Sequence, residues 1–253
     1  MRDRALGLYA GAALAFLHVP LLVLIGFSFN SSRFTIWQGF SLQWYRAAWS
    51  DPQLAEGLVN STIIAICSAV LSTVIGTLAA YGMWRRTAPL VSGTLYLSLV
   101  TPEIVTGVSL LALFQWIFRF LRLPLGLHTV IVAHVAFSIA YVTIVIAARL
   151  RSYDRTLEEA AMDLGANEWT AFYRVTLPVL APAIAAAALL ALVVSFDDYV
   201  ITSLVAGVDS ETLPMVIYAM ARRGVSPVVN AVSAFIVVIF GILVLISQRL
   251  QER

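Results

Sequence analysis

Six apolar stretches leave this chain few ways to fold. A helix needs about 20 predominantly apolar residues to cover a hydrocarbon core roughly 30 Å thick. Runs of that scale occupy 5–29, 58–84, 89–118, 127–148, 180–205 and 228–247 of the 253 residues. Length alone would allow about two soluble domains, but 60% hydrophobic and 12% charged residues describe a membrane protein. The expectation is an all-α integral membrane fold of six transmembrane helices, with 1–253 as one domain and no soluble module. The first run competes with a signal peptide, whose apolar region is usually 7–15 residues long; at 5–29 it reads instead as a retained first span.

The charged residues exclude several function classes. All sixteen basic residues are arginine, and the net charge of +2 gives no footprint for nucleic acid. A phosphate-binding loop of the G-x-x-x-x-G-K-[ST] type needs a lysine to reach the terminal phosphates. With no lysine, the chain carries no such loop and no Schiff-base chemistry, so ATP-driven work must come from a partner. Cys67 is alone, so no intrachain disulfide forms. His18, His128 and His134 have no metal-ligand spacing among themselves or with Cys67, and no metal site is expected.

Between the runs lie interface and loop signals. Trp37, Trp44, Tyr45 and Trp49 suit a membrane–water boundary, and Phe40–Tyr45 reads as an N-capped amphipathic helix on the outer face. The second run is rich in Ser, Thr, Ala and Gly, the residues of close helix packing in lipid. Thr101-Pro102-Glu103 interrupts the third, and Ser226-Pro227 suits a helix start. Six spans put both termini on one side. Arg2, Arg4, Arg85, Arg86, Arg149, Arg151, Arg155, Arg174, Arg249 and Arg253 share that side, against Arg33, Arg46, Arg119, Arg122, Arg222 and Arg223 opposite. The excess places the termini in the cytoplasm.

Acids inside the spans need a polar setting. Asp197 and Asp198 lie in the fifth run and Glu103 in the third. A carboxylate at the centre of a lone helix costs about 2.5–3.5 kcal/mol on insertion scales. The three acids either line a water-filled path or serve structure, at the outer mouth or paired with Arg119 and Arg122 or with Arg222 and Arg223. A negatively lined path favours a cationic solute, and Phe196, Tyr199, Tyr141 and Trp116 would offer aromatic faces to ammonium groups.

The most polar long segment, about 149–179, organises the rest. Its order is Glu159-Ala160-Ala161-Met162-Asp163-Leu164-Gly165, then Val175-Thr176-Leu177-Pro178. Good helix formers flank Gly165, so the expectation is a helix, a turn at Gly165 and a second short helix, with Pro178 ending that element or beginning the next. The pattern E-A-A, three residues, G, nine residues, I, one residue, L-P resembles the cytoplasmic signature of binding-protein-dependent ABC importer permeases, with Val175 in place of Ile. Pro102-Glu103-Ile104-Val105, Ser195-Phe196-Asp197-Asp198 with Val200-Ile201 and Gly207, Thr212-Leu213-Pro214, and Gly224-Val225-Ser226-Pro227 with Asn230-Ala231 resemble the C-type permease of spermidine/putrescine importers. Glu103 stands there for the usual Asp. Importers of iron, phosphonates or opines share parts of these segments.

The resemblance implies a type I importer permease fold in the bacterial inner membrane. It implies Glu159, Ala160, Ala161, Asp163, Gly165, Leu177 and Pro178 as the coupling element that docks on an ATPase, and Asp197, Asp198, Glu103, Tyr199 and Phe196 as candidates for the solute pathway. Its partners would be a homologous second permease, two ATPase subunits that bind ATP and Mg, and an external substrate-binding protein. This chain would hold no cofactor and no catalytic residue. Two other classes remain: a self-sufficient secondary transporter or channel using the three acids as proton or cation sites, and an intramembrane enzyme. Adjacent helical residues point about 100° apart, so Asp197 and Asp198 cannot face each other as a dyad, and Glu103 would have to complete it.

Overall fold

The computed structural model describes residues 2–34, 36–86, 88–121, 123–224 and 226–251. Arg122, Val225 and Arg253, used above, lie outside the described residues. Every regular element among those described is helical. They are α1 (Arg2–Ser28), α2 (Gln43–Trp49), α3 (Pro52–Arg85), α4 (Pro89–Val100), α5 (Glu103–Leu121), α6 (Leu127–Leu150), α7 (Thr156–Asp163), α8 (Glu168–Ala171), a π-helical turn (Phe172–Thr176), α9 (Leu177–Asp197), α10 (Val200–Val205), α11 (Leu213–Arg223) and α12 (Pro227–Gln251). Six helical stretches among the described residues are long and apolar enough to span a bilayer: Leu6–Ser28, Pro52–Arg85, Glu103–Phe120, Leu127–Leu150, Glu168–Asp197 and Pro227–Ile246.

Several boundaries differ from the sequence expectation. The third run divides at Thr101-Pro102: Pro102 lacks the N–H that would carry α4 onward, Thr101 turns extended, and only α5 is long enough to span. The fifth span begins earlier, because α8, the π turn and α9 join into one rod from Glu168. It also ends earlier, at Asp197, with α10 a separate short helix. The amphipathic outer helix starts at Gln43, later than read, and its N-cap Leu42 has no side-chain bond; Ser41 Oγ instead accepts the Gln43 N–H at 3.2 Å.

The chain forms two compact units. The first combines the described residues up to Glu56 with Val216–Gly241. Asn30, only 1% exposed, organises its loop. Its amide donates to the Phe34 and Ile36 carbonyls and accepts from the Gln38 N–H at 2.9 Å, while the Trp44 indole donates to the Asn30 carbonyl at 2.7 Å. Phe29 stacks on Phe40, and Ser28 bonds the Tyr45 hydroxyl. His18 bonds the Leu14 carbonyl of its own helix and is exposed.

The second unit, Gly57–Met215 with the described residues from Ile242 on, holds the main core. Ala69 and Ala80 of α3, Val142, Ile146 and Leu150 of α6, and Leu180, Ala187 and Ala191 of α9 form one buried cluster. Ile64, Phe114, Val130, Ala133, Ile201 and Val205 form another, joining α3, α5, α6 and α10. Small residues set the spacing, as expected where van der Waals contact rather than water drives association. A Cβ on Gly76 would stand 2.7 Å from Val142, and one on Gly107 would stand 2.6 Å from Leu204.

Candidate coupling and transport sites

The polar segment after α6 folds as a closed helical corner. Asp154 accepts hydrogen bonds from the Thr156 N–H at 3.0 Å and hydroxyl at 2.8 Å, which hold its carboxyl below the usual carboxylate range. α7 then runs to Asp163 and ends in a Schellman arrangement. Gly165 takes φ +90°, its N–H reaches the Met162 carbonyl at 2.9 Å, and the Ala166 N–H reaches back to Ala161 at 3.1 Å. Asn167 caps α8 by accepting from the Thr170 N–H at 2.8 Å. The helix, Gly165 turn and second short helix are as read from sequence.

Pro178 sits in the first turn of α9, directly after the π turn. There the Leu177 N–H reaches the Phe172 carbonyl, five residues back. The wider turn relieves the crowding a proline ring imposes on the carbonyl four residues before it, so the rod continues through Leu177-Pro178.

The outer surface of this corner carries the signature. Glu159, Ala160, Asp163, Gly165 and Pro178 are exposed, and Ala161 and Leu177 are half-buried. Glu159 meets Arg155 one turn away at 3.5 Å. Leu164 at the tip is 91% exposed, with Trp169 at 71% and Tyr173 at 69%. Three large apolar groups thus stand exposed beside a polar turn.

The inner surface holds a cluster that sequence reasoning missed. Glu158 is fully buried. Its carboxylate accepts from Arg85 at 2.9 Å, from the Tyr81 hydroxyl at 3.4 Å and from the Thr176 hydroxyl. Arg85 also reaches Glu168 at 2.7 Å, so one guanidinium at the end of α3 ties both arms of the corner. Tyr153 bonds Thr176 at 3.3 Å, and burial raises its pKa. The available signal was helical spacing: Glu158 lies three and four residues before Ala161 and Met162, which are half-buried while Glu159 and Ala160 are exposed.

The acids of the spans stand at helix breaks. Glu103 opens α5 and is exposed, Asp197 ends α9 and is exposed, and Phe196 and Tyr199 are half-buried. α5 packs on α10 where Gly107 meets Ile201 and Leu204, so Glu103 and Asp198 stand at the N-terminal ends of two packed helices. Asp198 turns inward, its side chain 5% exposed. It accepts from the Thr202 N–H at 2.8 Å and the Thr202 hydroxyl at 2.8 Å, capping α10. It also meets the His134 imidazole, at 3.3 Å, rather than Arg119. A carboxylate at a helix N-terminus also answers the helix dipole. Among the described residues no group of three or more His, Cys, Asp or Glu is placed to hold a metal.

The family model described as "Binding-protein-dependent transport system inner membrane component" matches residues 72–253. The spermidine/putrescine transport system permease protein PotC of Escherichia coli (strain K12) is 39% identical over 96% of this chain and 92% of its own length. The putrescine transport system permease protein PotI of the same strain is 40% identical over 94% of this chain and 87% of its own. Among solved structures, a bacterial ABC transporter involved in the import of the acidic polysaccharide alginate superposes with a TM-score of 0.72 at 16% identity, covering 98% of this chain and 97% of that one. That likeness shows the fold: six spans in a permease bundle. A non-catalytic, multi-pass subunit of the inner membrane, this chain belongs to the family of binding-protein-dependent transport system inner membrane components.

Proposed function

We propose that this chain forms half of the solute pathway of an ATP-driven polyamine importer and works by alternating access. The observation that carries the substrate class is the near full-length identity of 39–40% to two permeases named for spermidine and putrescine. The exposed carboxylates of Asp197 and Glu103 at helix breaks support it, because a cationic solute needs negative partners where the backbone is already irregular. Two ATPase subunits would bind ATP and Mg, and one of them would dock on Glu159, Ala160, Ala161, Asp163, Gly165 and Leu164. The rod through Leu177 and Pro178 would carry their closure into the bundle. A homologous second permease and an external substrate-binding protein complete the assembly, with both termini cytoplasmic. A ligand shifts such an equilibrium only by its differential affinity for the two states, so the docked ATPase supplies the bias.

The test is ATP-dependent uptake of radiolabelled spermidine and putrescine into proteoliposomes holding the complex and its binding protein. Polyamine uptake is the expected result. Uptake of a phosphonate, ferric iron or an opine instead would remove the polyamine reading and leave the permease reading standing.

A further inference from the structure

His134 is a buried imidazole that the coupling and pathway readings do not use. It stands on α6 and reaches across to both sides of the α9–α10 break. Nδ1 lies 2.7 Å from Ser195 Oγ, two residues before the end of α9. Nε2 lies 2.9 Å from Thr202 Oγ1 and 3.3 Å from Asp198 Oδ2, on the α10 side.

The proton inventory is self-consistent. The Thr202 hydroxyl donates to Asp198 at 2.8 Å, so it has no proton left for the imidazole. Nε2 then carries hydrogen and donates to Thr202 Oγ1 or Asp198, while Nδ1 and the Ser195 hydroxyl share a bond that either can donate. Every polar atom of Ser195, His134 and Thr202 finds a partner in the apolar interior, where an unmade bond is costly.

We propose that His134 is a positioning residue that fixes the angle of the α9–α10 break and thereby sets where the Asp197 carboxylate stands. Asp197 is the last residue of α9 and immediately precedes the capping Asp198. With Ser195 held on one side and Asp198 and Thr202 on the other, the intervening backbone at 196–199 has little freedom. The two aspartates then divide their roles: Asp198 is spent on the joint, and Asp197 is presented outward. The functional meaning of that presentation rests on the pathway reading above; the positioning itself does not.

The experiment uses the assembled complex in proteoliposomes, with Cys67→Ala and Asp197→Cys in this subunit. The rate of modification at position 197 by a cationic methanethiosulfonate is compared for His134, His134→Gln and His134→Leu. Leucine, which removes the imidazole's bonds to Ser195, Asp198 and Thr202, is expected to change the rate about tenfold; glutamine, which keeps one donor and one acceptor, restores most of it. In the complex retaining Asp197, His134→Leu lowers uptake per ATP hydrolysed and His134→Gln recovers it. Should His134→Leu fail to assemble, Ser195→Ala and Thr202→Val, which remove one arm each, supply the same comparison. Equal labelling rates in all assembled variants would overturn the proposal. Altered labelling together with normal uptake by Asp197→Asn would uphold the positioning and remove the pathway reading.

Discussion

Arg85 Nη1 lies 2.9 Å from Glu158 Oε2, and the carboxylate of that pair is wholly out of solvent. A buried ion pair adds little net stability against an apolar replacement, but removing one partner strands the other charge at a cost of about 3–5 kcal/mol. Arg85→Ala and Glu158→Ala are each expected to lower the melting temperature of the detergent-solubilised complex and to abolish uptake. The double variant Arg85→Leu, Glu158→Leu should recover much of the stability but not the uptake. Recovery of both would mean that the pair only fills space.

Gly165 makes a separate prediction. Its φ of +90° is strained for any side chain, although a Cβ there would meet nothing within 4 Å. Gly165→Ala should therefore cost about 1–2 kcal/mol locally and reduce uptake partially. Gly165→Pro also removes the N–H that reaches Met162 and should leave ATP hydrolysis without uptake. Simultaneous assays of phosphate release and transport separate the two, and normal uptake by the proline variant would count against a coupling role.

The glycines rank by what a methyl would strike. At Gly207 it would lie 1.8 Å from the Leu125 carbonyl oxygen, a backbone atom that cannot swing aside. At Gly107 it would lie 2.6 Å from the end of the Leu204 side chain, which can move. At Gly82 it would meet nothing, and alanine gains about 1 kcal/mol of helix propensity. Thermal unfolding of the three alanine variants should follow the order Gly207 least stable, Gly107 intermediate, Gly82 equal to or above the parent.

The adjacent aspartates should behave differently. Asp197→Asn is expected to cut polyamine uptake while leaving the melting temperature unchanged. Asp198→Asn removes the negative charge that faces His134 and the N-terminal end of α10, so it should lose stability as well as uptake. Identical stability in both variants would contradict the assignment of Asp198 to the joint.

What the sequence disclosed and what it hid follow from the range of the interactions. The six spans needed only apolar length, and the Gly165 turn needed only the one residue type that accepts its φ. The break at Pro102 was visible because proline is a local signal. The end of the fifth span at Asp197 was not, since the run stays apolar on both sides of the two aspartates and the break is held by His134, 61 residues away from Ser195. Glu158 escaped notice for the same reason: its partner Arg85 is 73 residues distant, and a glutamate beside Glu159 looks like another solvated charge. The π turn left no mark in composition.

That π turn also fixes a phase. Each α-helical residue advances about 100° around the axis, so one residue of excess in Phe172–Thr176 rotates everything before it relative to α9 by roughly that angle. Glu168 and Trp169 therefore point where they do because the rod is out of step with itself at one place. Deleting a single residue between Phe172 and Thr176 would restore an unbroken α-helical count and swing Glu168 away from Arg85, turning Trp169 off the corner's outer surface. The bundle behind it would be untouched in composition, yet the two halves of the rod would no longer mesh, like a gear shifted by one tooth.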